Sequence, residues 1–412
     1  MPKSRGRKPR KHSSVRPQQH RPTRADREGA QLEIMLPIMH AANEAEVRGD
    51  AAGALDVILS RLVGPDGRIF WRPARVCRLS QLYVLGPLLP RWATSRWILA
   101  QALQVLEPSN RDRSVRAHAT AVRVRGGPDM VRGANEIDRR AEVADHDWVH
   151  RQLFLYELGG LDHFLRRVAA PDLLTGADCI HEWAAAPMVA YRLAEETPRE
   201  LTWEDLGSGG EARTINLGAS TLTLPGGCVL GRVVPTEEGL MFESAPLVVP
   251  EGAALDVARD RRSWVDAVAR ACRDEYPVED DDVFCHTGGF DFALLSDVPG
   301  ITQHWLQHLA AEVPFTRHDE CDALGLAVGL VRAALDETLQ PVLDDAMKRL
   351  DTTTLAAGPS VAAALVEPHV SEHLLHELTP ADADALRRLA VTLPRPAADV
   401  CLGLAEMLRE AA

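Results

Sequence analysis

Between residues 201 and 250 the chain stops reading as helix, and no other feature limits its fold as much. Short runs rich in Val, Thr and Leu recur there: Thr214-Ile215-Asn216-Leu217, Thr221-Leu222-Thr223-Leu224, Val229 to Val234, Leu240-Met241-Phe242 and Leu247-Val248-Val249. Gly207-Ser208-Gly209-Gly210, Pro225-Gly226-Gly227, Pro235 and Gly239 separate them. β-branched runs divided by turn-forming residues predict a small antiparallel sheet, either a small barrel or a curled sheet. Arg232, inside one run, must sit at an edge or find a partner. On both sides the vocabulary changes to Ala, Leu and Arg at helical spacing. The fold class expected is mainly α with a small antiparallel β module (α+β), with helical bundle or irregular helical-repeat regions flanking the β segment.

A chain of 412 residues that is 46% apolar has room for two or three cores. The division expected is a basic tail at 1–27, a helical domain at 28–198, the β module at 199–250 and a C-terminal helical domain at 251–412. Residues 1–27 carry ten Lys or Arg and one acid, +9; with a net charge of -13 this leaves -22 for the remainder. A segment so polar cannot offset its ordering entropy and is expected to be disordered. Its cations, Arg5, Arg7, Lys8, Arg10 and Lys11 foremost, can displace counterions from a nucleic-acid backbone. The tail has no aromatic side chain, so base stacking is not available to it.

Seven scattered cysteines with no Cys-x-x-Cys pair read as reduced thiols. No apolar stretch follows the basic start, and the longest apolar run, 323–331, is about half the ~18 residues that span a bilayer. A cytoplasmic protein without membrane contact or bound cofactor is expected.

Helical patterns are expected at 76–85, 92–106, 130–143, 148–158, 161–168, 177–196 and 253–273. Others are expected at 301–312, 319–339, 380–393 and 397–410. Ala45 to Leu55 has the form of a helical hairpin turning at Gly49-Asp50, similar to one tetratricopeptide unit, but no second copy follows. In 319–339, Leu324, Ala327, Val328, Val331, Ala334, Leu335 and Leu339 form one apolar stripe. Thr379-Pro380-Ala381-Asp382 is a helix start.

Three histidine groups could carry chemistry. His146 and His150 share a helix face, with Asp145, Asp147, Asp162, His163 and His181 nearby in sequence. Hydrolytic zinc wants two or three such nitrogens, a carboxylate and an open position, but the His-Glu-x-x-His form is missing. Cys285, His304, His308, His318 and Cys321 include chelating spacings on separate elements. His369, His373 and His376 read as a solvated helix face. The acidic run 279–282 lacks calcium-loop spacing. Gly207 to Gly210 is followed by a strand and by no Gly-Lys-Ser/Thr, so a hairpin turn fits it better than a phosphate loop. Gly218-Ala219-Ser220-Thr221 lacks the last glycine of a nucleophile elbow.

The opening Ser4-Arg5-Gly6-Arg7-Lys8-Pro9, with Trp203 to Gly207 and Val229 to Pro235, resembles a group of actinobacterial proteins of unassigned function. In that group a small β segment accompanies a helical body, and some members carry a SEC-C zinc motif. The SEC-C cysteine cluster is missing from this chain. These observations favour a non-enzymatic interaction scaffold for an unidentified protein partner, with a tail that contacts nucleic acid non-specifically. The alternatives are a metal-dependent hydrolase built on His146 and His150, and a tail that docks on the protein's own acidic body.

Overall fold

The computed structural model describes residues 24–62, 70–86, 89–109, 111–131, 133, 135–197, 200–216, 225–275, 357–366 and 368–410, together with six residues between 328 and 335. The helix expected at 301–312, the acidic run at 279–282, the strand expected at Thr221 to Leu224 and nearly all of the tail lie outside them. Mainly helical, with one seven-stranded mixed sheet, the architecture is the α+β class expected from the sequence.

The first helix, α1, runs Arg24–Val47, so the last four residues assigned to the tail are helical. It forms a hairpin with α2, Ala51–Ser60. Asp50 caps α2 by accepting from the Gly53 amide at 2.7 Å, and Gly49 turns the chain at φ +82°. Helices α3 (Pro73–Leu85), α4 (Arg91–Ser109) and α5 (Arg111–Val124) come next. Helix α4 is central, with no exposed residue from Trp92 to Leu106. Buried Glu46 of α1 accepts from Arg75 Nε of α3 at 2.7 Å and from Trp97 Nε1 of α4 at 2.9 Å, tying three helices together.

The helix expected at 130–143 starts later. A 3₁₀ turn occupies Pro128–Met130, and α6 spans Glu136–His146 because the Asn135 side chain caps it through the Asp138 amide at 3.0 Å. Asp147 ends α6 and caps α7, Trp148–Gln152, which passes into a single π turn at Leu153–Glu157. Three short helices lead on to the sheet: α8 (Gly160–Arg167), α9 (Pro171–Gly176) and α10 (Ile180–Trp183).

The helix expected at 177–196 is the clearest departure. Only α10 forms, and Val189–Glu196 is strand β1. Pro187 has no amide to continue a helix, and residues 188–191 are buried without helical periodicity. The other strands are β2 (Glu200–Asp205), β3 (Glu211–Ile215), β4 (Cys228–Gly231), β5 (Val233–Thr236), β6 (Gly239–Phe242) and β7 (Leu247–Val249). Their order is β5-β6-β3-β2-β1-β4-β7, antiparallel except where β3 meets β6. Between β2 and β3, Asp205 Oδ1 accepts from the Gly207 amide at 2.8 Å and Gly209 has φ +70°, so the Gly-Ser-Gly-Gly stretch is a hairpin turn.

Strands β4 and β5 are joined by Arg232 alone, yet β5 is one edge of the order and β4 lies next to the other. One residue cannot bridge a flat sheet of that width, so the sheet curls until its ends meet at Arg232. Inside the curl, Trp203 and Tyr191 meet Phe242 edge-on at 5.1 and 5.5 Å. The other face joins the helices: Leu230, Val234 and Met241 share one core with Trp92, Trp148 and Trp183. Helices α11 (Glu251–Arg259) and α12 (Trp264–Glu275), separated at Asp260, complete that core. Apolar packing is therefore continuous across the boundaries drawn at 198/199 and 250/251.

A second core unites Val328 and Val331 with α13 (Ala357–Leu365), α14 (Pro368–Glu377), α15 (Ala383–Thr392) and α16 (Arg395–Glu410). The helix start expected at Thr379 forms, with the Asp382 carboxylate accepting from the Thr379 amide at 2.8 Å in a capping box. Among the described residues no helix is long and apolar enough to cross a membrane.

Curling depends on Gly231, where a Cβ would stand 2.6 Å from Phe242 Cδ1 and Cε1. Urea denaturation of Gly231→Ala should show a loss of about 1–3 kcal/mol with an unchanged m-value. Gly252→Ala, on α11 with open space at its Cβ, should lose nothing.

Candidate functional site

The π turn marks where polar side chains enter the core. An inserted residue closes the Leu158 amide onto the Leu153 carbonyl at 2.8 Å, a spacing of five. The insertion rotates the last turn of the helix, and Gln152, Tyr156 and Glu157 all meet Arg232 at the closure of the curled sheet. The buried Arg232 guanidinium uses every nitrogen. Nε donates to Gln152 Oε1 at 2.8 Å, one terminal nitrogen to the Ala186 carbonyl at 2.5 Å, and the other to Glu157 Oε1 at 2.7 Å. Its Cζ lies 4.3 Å from the centre of the Tyr156 ring, a cation–π contact.

Glu243, just past β6 and also buried, is the negative counterpart. Oε1 accepts from Gln152 Nε2 at 2.5 Å and from Ser244 Oγ at 2.6 Å, while Oε2 faces Arg151 at 3.4 Å. Burial first, and then the charge of Glu243, push the Tyr156 phenol well above its ordinary pKa, so it stays neutral. Two guanidinium groups thus balance two carboxylates, with Gln152 relaying between them. The segment 235–245 also collects donors from the helices: Trp183 Nε1 to the Pro235 carbonyl at 2.8 Å, Arg96 to the Phe242 carbonyl at 2.8 Å and Trp148 Nε1 to the Ala245 carbonyl at 3.1 Å. This network binds the π turn and α4 to the sheet.

The opposite side of α7 meets α5 in a second polar seam. Asp147 Oδ2 accepts from Arg125 Nε at 2.5 Å, and Oδ1 from the His150 amide at 2.6 Å. Further along, the His150 ring lies 5.9 Å from the Phe154 ring, and Arg113 Cζ is 5.6 Å from it. His150 is 1% exposed and neither ring nitrogen has a hydrogen-bond partner. Desolvation outweighs the attraction of Asp147 and lowers its pKa to about 4. His118 on α5, Nε2 likewise without a partner, is lowered by burial and then by Arg140.

His146 is the last residue of α6, His150 faces the α5 seam, and His163 lies exposed on α8. The expected metal candidates Cys285, His304, His308, His318 and Cys321 lie outside the described residues, as do Arg5, Arg7, Lys8, Arg10 and Lys11. Among the described residues no group of three or more His, Cys, Asp or Glu is placed to hold a metal ion. Arg125, Arg151, Gln152, Tyr156 and Glu243 are not among the residues expected from sequence. His150-Arg151-Gln152 inside the otherwise apolar run 148–155 is the one local signal of them. No family model, no curated protein and no solved structure matches this chain.

Removing the Glu243 carboxylate would take away the buried acceptor that Arg151, Gln152 and Ser244 share. Glu243→Ala should cost about 3–5 kcal/mol in urea denaturation. By contrast Arg166→Ala, which removes an exposed pair with Asp162 on α8, should cost below about 1 kcal/mol. The histidine gives a pH signature. Because the folded-state pKa of about 4 lies below the ordinary 6.5, the unfolded chain takes up the proton first. Stability from this group is complete above pH 6.5 and drains away as pH falls towards 4, on the order of 3 kcal/mol in all. His150→Phe should flatten the stability profile across that window; equal slopes for variant and parent would contradict the assignment.

Proposed function

We propose that the protein is a non-enzymatic interaction scaffold: its helical body docks a macromolecular partner, and its basic leading residues add sequence-independent affinity for RNA or DNA. The observation that carries the reading is charge segregation, +9 in residues 1–27 against -22 in the remainder. A uniformly acidic protein is repelled by phosphate backbones; one with its cations gathered at one end can hold them there. The body supports a scaffold role. Its deeply buried charges Glu46, Arg232 and Glu243 hold one element to another, in clusters that serve rigidity. The tetratricopeptide-like hairpin of α1 and α2 adds helical surface of the kind protein partners use.

The competing reading, a metal-dependent hydrolase at His146 and His150, draws less support. His150 is sealed in the core, and both oxygens of neighbouring Asp147 are already engaged by Arg125 and the His150 amide. Arg125, paired with Asp147, would repel a divalent ion.

Fluorescence anisotropy with a labelled oligonucleotide over a salt series tests the tail. If the five cations Arg5, Arg7, Lys8, Arg10 and Lys11 each neutralise one phosphate, log K should fall with log salt at a slope of about -4. Deleting residues 1–23, which stops short of α1, should abolish binding. Equal binding by both forms would defeat the proposal.

A further inference from the structure

We propose that helices α13 to α16, with Val328 and Val331, form a body that folds as its own cooperative unit and docks reversibly on α3. The contact with α3 is then the joint at which the molecule opens. It depends neither on the basic tail nor on the scaffold reading.

The two cores scarcely interpenetrate. Among the described residues, Ala363 is the one residue beyond 275 that belongs to the first core, and Val84 is the one apolar residue before 328 that packs on the second. Both lie in one helix pair, α3 against α13, where Cys77 Sγ also donates to the Val366 carbonyl at 3.5 Å. Helix α3 thus serves two bodies with two stripes. Leu79 and Leu82, with Val76 beside them, join the first core. Cys77 and Val84 contact the second body; seven positions apart, they share a face with buried Gln81, on the side of α3 opposite Leu79 and Leu82.

The chemistry of the second stripe makes it a separable contact. A thiol and a carboxamide stand where leucines stand on the other side, so docking removes little apolar surface from water. Each body is well furnished within itself. Leu365, Leu374, Leu386 and Leu404 are all buried in the second core, and Arg332 donates to Glu377 inside that body at 2.6 Å. Helix α3 stays with the first body when the joint opens, because Arg75 fixes it to Glu46 of α1. Small, partly polar contacts leave neighbouring domains free to move, and a unit with its own core can open below the free energy of global unfolding.

The test is native-state hydrogen exchange of the full-length protein at low urea, with α4 and α16 as reporters of the two bodies. Amides of α13 to α16 should open together, at a lower free energy and with a smaller urea dependence than those of α4. Leu404→Ala, inside the second core, should raise exchange across α13 to α16 by about tenfold or more and leave α4 unchanged. Val84→Asp places a charge at the joint. Small-angle scattering should then show a larger radius of gyration while α4 and α16 both stay protected. Tyr83→Asp, at the exposed neighbour, should keep the parent dimensions. A common opening of α4 and α16, equal acceleration of both by Leu404→Ala, or a folded Val84→Asp variant as compact as the parent would overturn the proposal. Should Val84→Asp fail to fold, the exchange of parent and Leu404→Ala decides.

Discussion

One guanidinium, that of Arg232, sits where the two ends of the sheet meet, and the rest of the molecule is arranged to keep it satisfied. Taking a charge out of water costs several kcal/mol, and only full coordination returns it. Arg232 receives that from Gln152, Glu157, the Ala186 carbonyl and the Tyr156 ring. Those partners come from the π turn, from the residue before it and from the lead-in to β1, so curl, turn and first strand depend on one another. Glu243 repeats the arrangement with opposite sign. Buried ion pairs seldom add net stability over an apolar core of equal volume. Their effect here is selective: a shifted register of β4 on β1 or of β5 on β6 would strand the Arg232 cation in the core.

The same balance of charge separates the two polar regions around α7. On the sheet side, each charge of Arg151, Arg232, Glu157 and Glu243 has its opposite, and the cluster is closed. On the α5 side Arg125 pairs with Asp147, and burial keeps the His150 imidazole neutral. One helix therefore carries a brace to the sheet along one face and a separate contact with α5 along the other.

The range of each interaction decides how much of this is legible in the sequence. Local chemistry is readable: the Gly49-Asp50 turn, the Thr379 capping box and the Gly207–Gly210 hairpin each involve residues within a few positions. Strand β1 is not, since Ala, Glu and Leu in 189–196 favour helix and only its neighbours β2 and β4 make it a strand. The brace is still less accessible. Arg232 is recognisable as a cation needing a partner, but Gln152 lies 80 residues away, and Gln152 and Glu243 are 91 apart. The spacing of His150 to His146 suggests metal chemistry, but the helix breaks at Asp147 between them, and the His150 ring stacks on Phe154.

The central claim is that the π turn and the curled sheet form one cooperative unit through buried charge, and native-state hydrogen exchange measures it most directly. Amides of residues 153–158 and of β4 to β6 should then open together, with a common free energy close to that of global unfolding and the same dependence on denaturant. Exchange from the π turn at a far lower free energy, with the sheet still protected, would show that the charges do not couple the two.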